Sequence, residues 1–144
     1  MDIIETLKTY FKSNARAYGI KLAFIYGSYA HQHQSEQSDI DIAIAFEEEA
    51  AHDPKKVFGA ISDISVATSK LSHKDVEIIS IDDKFGKPML YYNAIVHGKP
   101  LFVSDINCYI DYFLRAIHEM EDFSTFGLMW QIELANTRLS RMAS

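Results

Sequence analysis

The chain has 144 residues, 48% hydrophobic and 24% charged, with a formal net charge of −6. That length is one domain with room for a real core, and the acidity excludes a general affinity for nucleic-acid phosphates. A single cysteine, Cys108, excludes an internal disulfide framework, and with charged residues in the first turns and no apolar run of membrane length the expectation is a soluble cytoplasmic protein.

Residues 2–18 carry Ile3, Ile4, Leu7, Tyr10, Phe11 and Ala15 at helical spacing, with Asp2 as a start signal and Gly19 as a stop. Residues 20–26 read as a buried strand running into Gly27-Ser28, and 29–38 as a polar loop. Asp39 to Phe46 alternate, with Ile40, Ile42, Ile44 and Phe46 on one face and Asp39, Asp41, Ala43 and Ala45 on the other. Glu47-Glu48-Glu49 reads as a solvated turn. A helix is expected over 54–70, Pro54 in its first turn, with Val57, Phe58, Ile61, Ile64 and Ala67 as its stripe. A strand follows over 75–81, a helix over 88–97 ended by Gly98, and a short strand over 100–103. A helix over 105–121 turns Ile106, Tyr109, Ile110, Phe113, Leu114 and Ile117 inward, and another is expected over 124–142. The order describes an α/β chain with a small mixed sheet flanked by helices.

The chemistry concentrates in Gly27-Ser28, ten residues, then Asp39-Ile40-Asp41. Residues two apart on a strand point the same way, so Asp39 and Asp41 present two carboxylates about 7 Å apart at the backbone. Mg²⁺ is commonly held by one or two carboxylates plus substrate phosphates. A glycine at a strand end permits a sharp turn and close ligand approach, and the successive N–H groups of such a turn form an anion-binding nest. Ser28 adds a hydroxyl for a phosphate oxygen. A third carboxylate is expected at Glu77, between Val76 and Ile78, where burial would be costly unless it were paired or metal-bound. Asp75 is the second choice.

With these residues the chain resembles the polymerase β-type nucleotidyltransferase superfamily, most closely its minimal, MNT-type members. Their signature is Gly-Ser, ten residues, Asp-x-Asp, here Gly27, Ser28, Asp39 and Asp41. The stretch Asp75-Val76-Glu77-Ile78-Ile79 is similar to the family's third-carboxylate strand, and Pro88 to Phe102 to the helix and strand that follow it. The resemblance covers about residues 1–120 and suggests a division into a nucleotidyltransferase domain, 1–121, and a tail, 122–144, that docks a partner or completes an oligomer. Many relatives carry Arg-Gly after the position of Ala30, where this chain has His31-Gln32, and their third carboxylate is often Asp. The resemblance implies Mg²⁺ on Asp39, Asp41 and Glu77, and ATP as co-substrate. It also implies an antitoxin that transfers AMP to a tyrosine of a cognate HEPN-domain RNase toxin. HEPN proteins carry Arg, four to six residues, His; Arg115 and His118 are too close for that.

Two other functions stand beside this one: transfer to a small-molecule hydroxyl by the same residues, and neutralisation of a toxin by contact alone with a degraded site. His31 and His33 read as solvated loop residues, Cys108 as a packing residue, and Tyr91, Tyr92, Tyr109, Tyr112 and Phe113 as core. Phe123, Phe126, Met129 and Trp130 come after the residues expected to complete the core and either dock a partner or pack on their own domain.

Overall fold

The computed structural model describes residues 2–30 and 38–143, with the backbone alone at 125, 126, 131 and 143. Helix α1, Ile3–Tyr18, starts where the Asp2 carboxylate accepts the Ile4 N–H at 3.1 Å and ends at Gly19, which takes φ 67°. Both ends follow from residue chemistry: an aspartate oxygen satisfies an orphan N–H, and a glycine occupies the left-handed region without steric cost. Strand β1, Ile20–Tyr26, runs into a short 3₁₀ turn, Gly27–Tyr29. Strand β2 is Ile40–Phe46, and a four-residue helix, α2, Glu48–Ala51, replaces the expected acidic turn. Helix α3, Pro54–Ser72, is capped by Asp53. Strand β3, Val76–Ser80, leads to α4, Pro88–Tyr92, which passes into a π-helical turn, Asn93–His97. Strand β4, Lys99–Val103, and helix α5, Ile106–Ala143, complete the chain.

The sheet order is β3-β2-β1-β4, with β1 antiparallel to both β2 and β4, and β2 parallel to β3. Helices cover both faces, so β2 is apolar on both sides despite its alternation. One face buries Ile25, Ile42 and Ile44 beneath Leu7 and Phe11 of α1 and Ile64 of α3. The other packs Phe24, Ala43 and Ala45 against Tyr91, Ile95 and Ala116. Cys108, Tyr109, Tyr112 and Phe113 join this second core, and Tyr91 is buried in it, as expected.

Three expectations are corrected. The two C-terminal helices are one, because nothing between Glu121 and Ser124 stops a helix: no proline, and no glycine where a cap would sit. Ile106, Ile110 and Leu114 are exposed, because α5 turns its aromatic residues to the sheet. Phe58 is 74% exposed; α3 meets the body through Ala60, Ile64 and Thr68.

The loop after β3 is tied to the second core. The Tyr91 hydroxyl donates to the Asp82 carboxylate at 2.8 Å, and the Gly86 N–H donates to the same carboxylate at 3.0 Å. Arg115 of α5 lies over the Phe85 ring, 4.6 Å from its centre, and donates to the Asp83 carbonyl.

Candidate active site

The glycine–serine turn and the aspartates meet because β1 and β2 are antiparallel neighbours. Tyr26, the last residue of β1, pairs with Asp41 near the start of β2. On the other side of β2, Asp41 pairs with Glu77 of β3. Tyr26, Asp41 and Glu77 therefore leave three adjacent strands on one face, the face that carries Phe24 and Ala43 further along. Asp39 stands exposed just before β2, and the Ile40 N–H donates to the Asp75 carbonyl at 2.9 Å, tying the starts of β2 and β3 together.

Gly27 takes φ 74°, and the Ala30 N–H closes the turn on its carbonyl at 3.1 Å. A Cβ at this position would lie 2.7 Å from Oδ2 of Asp41. The residue is therefore glycine for two reasons: a left-handed backbone, and a carboxylate lying directly against its α-carbon. Ser28, next in the turn, is half-buried.

The charges at this end of the sheet act on one another. Burial first, then the negative charges of Glu77 and Asp39, hold the Asp41 carboxyl above the usual aspartate range. Burial, then Asp41 and Glu77, push the Tyr26 hydroxyl up to about 12. Asp39 and Glu77 thus lie near enough to Asp41 to repel it, and a divalent cation would relieve that repulsion. Among the described residues no three His, Cys, Asp or Glu side chains converge closely enough to hold a metal ion by themselves. The donor set fits an oxygen-seeking ion whose remaining ligands come from phosphates, as Mg²⁺ prefers.

Glu77 is exposed on an edge strand, so burial cost is not what selects a carboxylate there; its registration with Asp41 is the distinguishing feature. Tyr26 was missed in the sequence. Its signal is parity: pairing the strands so that Gly27-Ser28 sits beside Asp39–Asp41 puts Tyr26 opposite an aspartate. His31, Gln32 and His33 lie outside the described residues, as does the Phe126 side chain. Among the described residues no helix is long and apolar enough to cross a membrane.

A family model described as polymerase beta nucleotidyltransferase matches residues 5–107. A search of the curated proteins finds no match. Among solved structures, a toxin–antitoxin with AMP-PNP superposes with a TM-score of 0.67 at 16% identity, over 88% of this chain and 97% of that one. A tri-AMPylated Shewanella oneidensis HEPN toxin in complex with its MNT antitoxin gives 0.64 at 14%, over 91% and 98%. A toxin–antitoxin MntA–HepT structure gives 0.63 at 14%, over 90% and 97%. These likenesses establish a shared fold.

Proposed function

This chain belongs to the polymerase beta nucleotidyltransferase family, and on that premise we propose that it is an antitoxin that transfers AMP from ATP to a tyrosine hydroxyl of a HEPN-type toxin in the cytoplasm. The observation that carries the reading is the grouping of Asp39, Asp41 and Glu77 beside the Gly27–Tyr29 turn. The likeness to antitoxins of the MNT kind supports the choice of acceptor.

Asp39, Asp41 and Glu77 would hold Mg²⁺, which supplies charge neutralisation at the phosphates and a more acidic attacking hydroxyl. The turn offers the Gly27 and Ser28 N–H groups and the Ser28 hydroxyl to phosphate oxygens. The tyrosine oxygen bonds to the α-phosphorus, the bond from that phosphorus to the β-bridging oxygen breaks, and pyrophosphate leaves. We assign the hydroxyl proton to Glu77, a reading supported by its exposure and its register beside Asp41. Beyond that proton, the protein's part in such a transfer is almost entirely positioning and charge neutralisation. Asp39 and Glu77 are both exposed, so the site suits a large acceptor that covers it better than a small one that must be enclosed.

The test is the intact mass of a cognate toxin after incubation with this protein, Mg²⁺ and each nucleoside triphosphate. The expected result is a gain of one or more AMP units that disappears with Asp39→Ala. No gain, together with a stable complex and protection of cells by the Asp39→Ala variant, would replace transfer with neutralisation by contact.

A further inference from the structure

The sheet has two edges, and the chain blunts only one of them. On β4 the outer edge carries Lys99 and Pro100, and a register shift interrupts the pairing of β4 with β1. Lysine, proline and bulges are devices that keep an edge from pairing with a foreign strand. The opposite edge, β3, reads Val76-Glu77-Ile78-Ile79-Ser80 and runs in unbroken register with β2. It has no proline, no lysine and no bulge, and its single charge, Glu77, belongs to the candidate site.

Alternation fixes which backbone groups β3 offers outward. The Asp75 carbonyl accepts the Ile40 N–H of β2, and the Ile81 N–H donates to the Ile44 carbonyl of β2, each at 2.9 Å. Odd-numbered residues therefore bond inward, and Val76, Ile78 and Ser80 turn their N–H and C=O groups away from the sheet. The chain's own side chains take the outer carbonyls at both ends. The Ser65 hydroxyl donates to that of Val76 at 3.2 Å, and the Tyr91 hydroxyl to that of Ser80 at 3.3 Å. Between them, among the described residues, nothing bonds to the outward N–H and C=O of Ile78.

This gap lies beside the carboxylates. Tyr26, Asp41 and Glu77 form one row across β1, β2 and β3. A strand added at the outer edge supplies the fourth place in that row. If it runs antiparallel and bonds to Ile78, Glu77 falls at a non-hydrogen-bonded pair, where the Cα atoms are about 4.5 Å apart and side chains lie closest.

We propose that β3 is the acceptor-docking edge, a role that rests on the transfer reading. An extended segment of the acceptor protein adds there as a fifth strand, antiparallel to β3. It bonds to the backbone of Ile78 and sets its tyrosine in register with Glu77. Main-chain bonds then hold the segment, and alternate side chains give it specificity. Charge selects an acceptor segment over a second copy of this chain. Pairing β3 with β3 of another copy about Ile78 would put both carboxylate groups on one face with the two Glu77 side chains diagonal to each other, and like charges across strands oppose pairing. A tyrosine hydroxyl at that place adds no charge. Two positions along the added strand, on the same face, the half-buried Ile79 suits an apolar side chain.

The test keeps the full wild-type chain and alters the acceptor. Fragment masses of the labelled cognate toxin give the modified tyrosine, and a short synthetic peptide spanning it is assayed for AMP gain with ATP and Mg²⁺. The residue just before the tyrosine would donate its N–H to the Ile78 carbonyl, whereas the tyrosine's own N–H would face away from β3. N-methylation of that preceding residue is expected to lower transfer at least about tenfold, and N-methylation of the tyrosine to leave it within about twofold. With toxin present and nucleotide absent, exchange of the Ile78 amide hydrogen is expected to slow at least about tenfold. A toxin that gains no AMP removes the transfer reading and the docking edge with it. A labelled toxin removes the docking edge alone if its peptide is not labelled, if the two methylations act equally, or if Ile78 exchange is unchanged. So does an Ile78 amide that slows as the chain alone is concentrated, which would mark a second copy on the edge.

Discussion

Asp41 of β2 and Glu77 of β3 are partners in the sheet's parallel register, so two carboxylates distant in sequence leave neighbouring strands on the same face. The pairing places like charges side by side and partly out of water. This is unfavourable for the fold and useful for a site that binds a cation.

That conflict gives a stability prediction. Burial, Glu77 and Asp39 raise the Asp41 carboxyl above its ordinary value. A carboxyl that holds its proton more tightly when folded supports the fold at low pH. The support is complete below the ordinary aspartate range and is lost as pH rises through the raised value. At neutral pH the ionised Asp41 therefore opposes folding. Asp41→Asn is expected to raise Tm at pH 7–8 by roughly 1–3 °C, with the gain vanishing towards pH 3, while transfer is abolished. Thermal scans over a pH series check this; a lower Tm for the variant at pH 8 would refute it.

The transfer reading makes its own demand on the three carboxylates. Asp39→Ala and Asp41→Ala are each expected to lower the rate by about 10³-fold or more, several kcal/mol of transition-state stabilisation. Glu77→Asp shortens the arm without removing the charge, and a misplacement of that order costs about 10–100-fold. Pyrophosphate release measured beside circular dichroism separates lost chemistry from lost fold. A fully active Glu77→Ala would remove Glu77 from the site.

Much of this site was legible before any coordinates. Alternation along 39–46 set the face shared by Asp39 and Asp41, and Asp2, Gly19 and Pro54 marked helix ends through chemistry that is local. What was not legible depends on contacts distant in sequence. The partnership of Tyr26 with Asp41 requires the register of two strands. The inward face of α5 was misread because Ile106, Ile110 and Leu114 match helical spacing as well as the aromatic residues do, and only packing against Phe24 and Phe85 decides between them. Phe58 shows the same limit: periodicity places it near a stripe, but the stripe that meets α1 and the sheet runs through Ala60 and Ile64.

The two glycines of a matched pair of variants should behave oppositely. At Gly27 the backbone has φ 74°, and a Cβ would stand 2.7 Å from Asp41 Oδ2. Gly27→Ala is expected to cost about 1–2 kcal/mol from the backbone alone and to displace Asp41, lowering transfer at least about tenfold. At Gly59, inside α3, a Cβ meets nothing within 4 Å. Gly59→Ala is expected to stabilise by about 0.5–1 kcal/mol through helix propensity and to leave transfer unchanged. Denaturant midpoints and rates measured together check both.

Position along the sheet decides whether a destabilising change also harms the site. Gly98 has φ −76°, which any residue adopts, but a Cβ there would lie 2.1 Å from the Ala94 carbonyl oxygen and 2.8 Å from that of Ile25. Gly98→Ala must push the π-helical turn off β1, at a cost of about 1–3 kcal/mol. The push lands on Ile25, one residue from Tyr26, which is registered with Asp41. Tyr91→Phe makes a comparable loss at the far end of β3. It removes the 2.8 Å hydrogen bond to Asp82, worth about 1.5–3 kcal/mol when the acceptor is charged. The two variants should therefore separate at temperatures where both remain folded. Gly98→Ala is expected to transfer several-fold more slowly per folded molecule and Tyr91→Phe at the wild-type rate. Equal rates in the two variants would show that the π-helical turn does not position the carboxylate end of the sheet.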